Sequence, residues 1–145
     1  MQPLPHFYAA DAAGAATGAV ALDAAGLPQL TSAAPREFGG PGDAWSPEAL
    51  LVASLASCFI LTFRAVARAS KLEWSRIECS VQGTLDRVDG VTQFTHFVTK
   101  AKLTTPDGVN VDACARAIEK AERGCLIANS LRAKGELQFE IVQTE

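Results

Sequence analysis

The hydrophobic pattern is dominated by a run of fifteen uncharged, mostly apolar residues from Ala49 to Phe63. The residues before it predict the start of a helix: Ser46 can cap, Pro47 suits the first helical position, and Glu48 favours the positive end of the helix dipole. We expect the helix to run to about Ala69, where the sequence becomes polar. Because the run is shorter than the ~18 to 20 residues that span a bilayer, it favours a buried helix over a membrane span.

This predicted helix is apolar on all sides, which indicates that protein should enclose it nearly all round. A chain of 145 residues is long enough for one domain with a real core, but it has little material left to surround such a helix alone. The pattern therefore predicts a homodimer in which two copies of the helix pack together.

Alternating apolar and polar positions predict strands on both sides of this helix. Before it, three short strands are expected in the segments HFYAA, TGAVALD and LPQLTS. After it, a half-buried strand should turn Ile77, Cys79, Val81 and Leu85 to one face. The Asp89–Gly90 pair predicts a hairpin turn into the next strand.

A second amphipathic helix is expected from about Val111, and residues 135–145 are expected to form a closing strand. Short strands, a long helix, a strand pair, a helix and a final strand are typical of an α+β fold rather than of a doubly wound sheet. We therefore predict a single α+β domain over residues 1–145.

Composition narrows the function. A net charge of −3 argues against nucleic acid or an anionic membrane as the main partner. The first residues lack the basic and apolar regions of a signal peptide, so a cytoplasmic location is expected. No glycine-rich phosphate loop follows a strand, and the two histidines are isolated from each other and from carboxylates, so neither a cofactor nor a metal is expected.

The four cysteines are widely spaced, with no Cys-x-x-Cys, which argues against zinc and thioredoxin-type sites. Cys79 and Cys114 fall on apolar faces and are predicted to be packing residues. Cys58, taken alone, is also better explained as a core residue, because apolar burial raises a thiol pKa. Cys125 follows Gly124; a helix break there would expose backbone N–H groups to the thiol, so packing and reactivity both remain open.

Two longer motifs carry a resemblance to a known family. SPEALLVASLASC at residues 46–58 and AERGCLIANSL at residues 121–131 lie about 65 residues apart in that order, with QGTLDRVDGVTQF between them. Together they resemble the OsmC/Ohr family, bacterial proteins of osmotic and peroxide stress, and the likeness covers roughly residues 35–143.

The resemblance implies an intertwined homodimer in which long central helices pack against antiparallel sheets. It also implies a thiol-dependent peroxidase that reduces organic hydroperoxides. By position, Cys58 matches the cysteine that attacks the peroxide, Cys125 matches the cysteine that resolves it as a disulfide, and Glu48 matches an acidic residue that holds a catalytic arginine. An external dithiol, resembling a lipoyl-type group, would reopen the disulfide.

Apolar neighbours of Cys58, namely Leu55, Phe59 and Ile60, would then favour organic hydroperoxides over strongly hydrated hydrogen peroxide.

The sequence departs from the family in the position of the catalytic arginine. The family's best-characterised peroxidases supply it from a loop between early strands, where this chain has none. Arg36 is the only lysine or arginine among the first 63 residues and is the first candidate; Arg123 is the second.

Glu48 and Cys58 are ten residues apart, which places them about 15 Å apart along a continuous helix. Two such helices crossing antiparallel would bring Glu48 of one copy to Cys58 of the other, so we predict a site shared between subunits. The missing early arginine favours an alternative from another class: a non-catalytic dimer of the same fold that binds an apolar ligand or senses redox state.

Overall fold

The computed structural model describes all 145 residues as two compact units, Met1–Leu50 and Leu51–Glu145. Together they contain three α-helices and two three-stranded sheets, which confirms the predicted α+β class. The single domain expected over residues 1–145 stays a prediction.

The first unit contains an antiparallel sheet of three short strands in the order β1-β2-β3: β1 Asp11–Ala13, β2 Val20–Asp23 and β3 Leu30–Ser32. A one-turn 3-10 helix follows at Arg36–Phe38. The second and third strands lie where the alternation predicted them. The first prediction was wrong, because His6–Ala10 pairs with no strand and β1 begins one residue later.

The long helix α1, Pro47–Ala69, has the predicted bounds and is continuous. Ser46 caps it, since its Oγ accepts a hydrogen bond from the Ala49 N–H at 3.0 Å. Helix α1 is long and apolar enough to cross a membrane by length and composition alone, a test that core helices of soluble proteins also pass.

One chain does not enclose α1 on all sides. Its buried residues form a single stripe at four-residue steps: Leu55, Phe59, Phe63 and Ala67. The side chain of Leu61, which lies away from this stripe, is 56% exposed. One copy thus leaves part of the apolar surface of α1 exposed, as expected for a chain of this length, and the homodimer stays a prediction.

The second unit contains the larger sheet, with β4 Arg76–Val88, β5 Val91–Pro106 and β6 Lys134–Thr144. Strand β5 is central, antiparallel to β4 and parallel to β6. The antiparallel pairing that the resemblance implied is therefore wrong for β6, and this sheet is mixed, because two helices connect β5 to β6. Asp89 and Gly90 both have positive φ, 51° and 78°, as a two-residue hairpin turn requires, so the predicted turn is confirmed.

One residue of β4 departs from the predicted alternation. The register between β4 and β5 shifts between Thr84 and Leu85, because Thr95 is an extra residue on β5. Beyond this shift every residue of β4 is exposed. Ile77 is buried and Cys79 and Val81 are half-buried, as predicted, but Leu85 is exposed.

Two further helices, α2 Val111–Gly124 and α3 Leu126–Asn129, connect β5 to β6. Asn110 caps α2 by accepting a hydrogen bond from the Ala113 N–H at 2.9 Å. The core forms where α1 and α2 meet the inner face of the large sheet, and its buried members are Phe59, Phe63, Ala67, Ile77, Ala101, Leu103, Cys114, Ala117, Ile118 and Ala121. This packing holds the middle of α1 against the junction of α2 and α3.

Candidate active site

The first candidate residue, Cys58, lies at the middle of α1 and is half-buried. Its Sγ is 3.9 Å from the Oγ1 of Thr62, one helical turn later. Burial alone would raise the pKa of this thiol. The Thr62 hydroxyl donates to the Cys58 carbonyl oxygen at 2.7 Å. Interactions of the Cys58 sulfur with the backbone N–H of Ile127, the thiol of Cys125, Thr62 and the backbone N–H of Leu126 outweigh burial, so the pKa of Cys58 is lowered.

The second candidate, Cys125, lies between α2 and α3 and is 3% exposed. The helix break predicted after Gly124 is confirmed. Gly124 also allows a close approach to α1, because a side-chain carbon there would lie 3.3 Å from the Cγ2 of Thr62. The pKa of Cys125 is raised, first by burial and then by the hydrogen bond and the charge of Cys58, although backbone N–H groups of Ala128 and Ile127 act in the opposite direction.

The structure therefore brings Cys58 and Cys125 close enough for each thiol to influence the pKa of the other, and the two pKa values shift in opposite directions. The thiol that ionises more readily is also the more accessible of the two. The buried thiol stays protonated and stabilises its neighbour's thiolate. Chemically, such a pair can provide a nucleophile and a second thiol that condenses with its oxidised product to form a disulfide.

Sequence reasoning missed the groups that lower the pKa of Cys58. A cation was expected, whereas the favourable contributions come from backbone N–H groups at the start of α3 and from Thr62. The one signal that pointed to them was Gly124, which was used to predict free N–H groups beside Cys125 and not beside Cys58.

The structure does not bring Glu48 to Cys58 within one chain, since both lie on the continuous helix α1, about 15 Å apart along its axis. The Oε2 atom of Glu48 is buried and has no hydrogen-bond partner. Arg36 lies in the first unit, and its side chain packs over Gly42. A Cβ at position 42 would occupy the space that the Arg36 side chain fills. The roles predicted for Glu48 and Arg36 stay predictions.

The remaining cysteines occupy apolar surroundings. Cys114 is fully buried in the core, and burial raises the pKa of its thiol. Cys79 packs against the same core; burial, with a smaller contribution from the charge of Cys125, raises its pKa to about 11. Both positions fit the packing role predicted for these residues.

Iodoacetamide near neutral pH is expected to label Cys58 well before Cys79, although both are half-buried. Only the thiolate is nucleophilic, and the thiolate fraction is greater at the thiol with the lowered pKa. Peptide mapping by mass spectrometry over a pH series should give a midpoint for Cys58 below that of the same thiol in denaturant. Labelling in denaturant, where all four thiols react alike, is the control. Equal rates for Cys58 and Cys79 in the folded protein would contradict the assignment.

Solved structures share this fold. An organic hydroperoxide resistance protein OsmC from Legionella pneumophila superposes with a TM-score of 0.75 at 26% sequence identity, over 97% of this chain and 99% of that one. The fold is thus that of the OsmC-like class. The chain belongs to the OsmC-like protein family, whose model matches residues 40–140.

Two relatives in sequence agree with this placement. The uncharacterized protein YmaD of Bacillus subtilis is 28% identical over 109 residues, which are 73% of each chain. Peroxiredoxin OsmC of Escherichia coli is 25% identical over 96 residues, which are 66% of each chain. At this distance the relatives establish the family, and the chemistry of this chain is argued below from its own residues.

Proposed function

We propose that this protein is a thiol-dependent peroxidase that reduces organic hydroperoxides to alcohols in the defence against oxidative stress. The observation that carries the proposal is the pairing of Cys58, whose pKa is lowered, with a buried and protonated Cys125. Similarity to a Peroxiredoxin OsmC and to an organic hydroperoxide resistance protein supports it.

The proposed reaction begins with the Cys58 thiolate attacking the distal oxygen of the hydroperoxide. The O–O bond breaks, the alkoxide takes a proton and leaves as an alcohol, and Cys58 becomes a sulfenic acid. The Cys125 thiol then attacks that sulfur. Its proton leaves with the hydroxyl group as water, and a Cys58–Cys125 disulfide forms. An external dithiol returns two electrons by thiol–disulfide exchange.

Glu48 and Arg36 are assigned to a shared site in a homodimer. A buried carboxylate oxygen without a partner is costly, so the unpaired Oε2 of Glu48 supports the idea that another copy supplies the group that pairs with it. The exposed apolar side chain of Leu61 on α1 supports packing between two copies of this helix. We place the reaction in the cytoplasm, where dithiol reductants are maintained.

One equivalent of an organic hydroperoxide is expected to convert Cys58 and Cys125 into a disulfide within seconds, leaving Cys79 and Cys114 as free thiols. The physical reason is that each thiol lies close enough to influence the pKa of the other, so condensation needs little movement. Rapid acid quenching followed by peptide mapping of the disulfide measures this. Hydrogen peroxide at the same concentration is the matched comparison and should react more slowly. Four intact thiols after prolonged exposure would instead support the non-catalytic, ligand-binding alternative.

A further inference from the structure

A cavity of about 310 Å³ lies within the second unit and opens onto Cys125. Leu55, Phe59 and Phe97 supply its apolar wall. Cys58 is not among the residues that line it. Of the two cysteines in the proposed disulfide, only Cys125 borders this cavity, whereas Cys58 is the one more exposed to solvent elsewhere.

This arrangement changes the expectation for the apolar residues near Cys58. Leu55 and Phe59 were expected to receive the apolar part of a hydroperoxide at Cys58. They are only 5% and 2% exposed, and both line the cavity at Cys125. An apolar molecule held against them would meet the resolving cysteine.

We propose that an external thiol reductant with a compact aliphatic body binds in this cavity and attacks the sulfur of Cys125 in the Cys58–Cys125 disulfide. The inference rests on the proposed function, which supplies that disulfide. It adds to it a binding site for the reductant and the sulfur at which reduction begins.

The steps balance in atoms and electrons. A thiolate of the reductant bonds to the Cys125 sulfur, the Cys58–Cys125 bond breaks, and Cys58 leaves as a thiolate, ready for the next hydroperoxide. The second thiol of the reductant then attacks its own sulfur that is bound to Cys125. The reductant departs as a cyclic disulfide and Cys125 takes up a proton.

The chemistry of the leaving sulfur supports the same direction of attack. In thiol–disulfide exchange the sulfur that forms the more stable thiolate leaves faster. Backbone N–H groups of Ile127 and Leu126 stabilise a thiolate at Cys58, whereas Cys125 is buried, so Cys58 is the better leaving group. Attack on Cys125 therefore uses the cavity beside that residue, and departure of Cys58 uses the stabilisation of its thiolate.

The remaining lining of the cavity fits a thiol reductant. Its volume lies near the lower end of the ~300 to 1,000 Å³ found for small-molecule sites, which suits a compact molecule. Arg123 is among the lining residues, and its charge acts on the neighbouring Glu122, so a cation lies near the cavity. Glu122 also lines it, and its pKa is raised, chiefly by burial and against the influence of Arg123.

The test separates this inference from peroxidase activity. The Cys58–Cys125 disulfide is made in the full-length protein with diamide, which oxidises thiols without a hydroperoxide. An aliphatic monothiol is then added, the reaction is quenched with acid at short times, and the mixed disulfide is located by peptide mapping. We expect it on Cys125. A mixed disulfide on Cys58, or no disulfide after diamide, overturns the inference whether or not the protein reduces hydroperoxides.

A second part of the test uses variants that narrow the cavity. Gly135 lines the cavity from β6. A Cβ at position 135 would meet only the Oε1 of Glu122, at an ordinary contact distance of 3.7 Å. Gly135→Val is expected to slow reduction by an aliphatic dithiol at least tenfold, with Gly135→Ala intermediate, while the rate of oxidation by hydroperoxide stays unchanged.

The matched control is Gln138→Val, on the same strand but outside the cavity, which should leave both rates unchanged. Thermal unfolding verifies that each variant is folded, and Gly135→Ala alone carries the comparison if the valine variant is not. Unchanged reduction in the folded Gly135 variants would overturn the inference. If these variants are oxidised more slowly by hydroperoxide but reduced at an unchanged rate, the cavity binds the hydroperoxide and the inference is also overturned.

Discussion

Cys58→Ser is expected to lower the rate of organic hydroperoxide reduction by a factor on the order of 10³ or more. A serine hydroxyl does not ionise under conditions in which the Cys58 thiol does, and the hydrogen bonds from Ile127 and Leu126 are far too weak to change that. Oxygen also cannot form the sulfenic acid that stores the two oxidising equivalents. The measurement is dithiol-dependent hydroperoxide consumption at steady state.

The matched control for this variant is Cys79→Ser. Cys79 is half-buried like Cys58, but burial raises its pKa to about 11, so its thiolate is scarce near neutral pH. We expect Cys79→Ser to retain the activity of the unsubstituted protein, with both variants folded by circular dichroism. A Cys58→Ser protein that keeps its activity, or a Cys79→Ser protein that loses it, would assign the attack on the peroxide to another thiol.

The parts of the fold that local signals encode were predictable from the sequence. A cap, a proline and an acidic residue mark the start of α1 at Pro47, and two residues suited to positive φ mark the turn at Asp89 and Gly90. Other features depend on distant partners. The register shift between Thr84 and Leu85 comes from an extra residue on β5, and alternation within β4 carries no trace of it.

The candidate site was predictable to a different extent. Two sequence motifs identified Cys58 and Cys125, and Gly124 located the break between α2 and α3. The groups that lower the pKa of Cys58 were sought among cations because a cation is visible in a sequence. Backbone N–H groups of Leu126 and Ile127 belong to every residue alike, and only packing of α3 against α1 makes them matter.

Replacement of Cys125 is expected to stop the catalytic cycle after one oxidation. Without a second thiol the Cys58 sulfenic acid persists, and further hydroperoxide carries it to the sulfinic acid, which thiols do not reverse. We expect no replacement by Cys79, which is not among the groups that influence the pKa of Cys58. The measurement is the mass of the Cys58 peptide after one and then several equivalents of hydroperoxide, with the intact protein showing a disulfide instead.

Two replacements of Cys125 separate its role in forming the disulfide from its effect on the pKa of Cys58. Serine keeps a hydroxyl that donates to Cys58, whereas alanine removes the hydrogen bond that helps to lower the pKa of Cys58. Both variants should over-oxidise, but only Cys125→Ala should also slow the first oxidation near neutral pH, because less Cys58 is ionised there. Raising the pH should restore that first rate in the alanine variant. If Cys125→Ser instead continues to turn over and a Cys58–Cys79 disulfide accumulates, the resolving thiol is Cys79, and the hydrogen bond from Cys125 serves only to ionise Cys58.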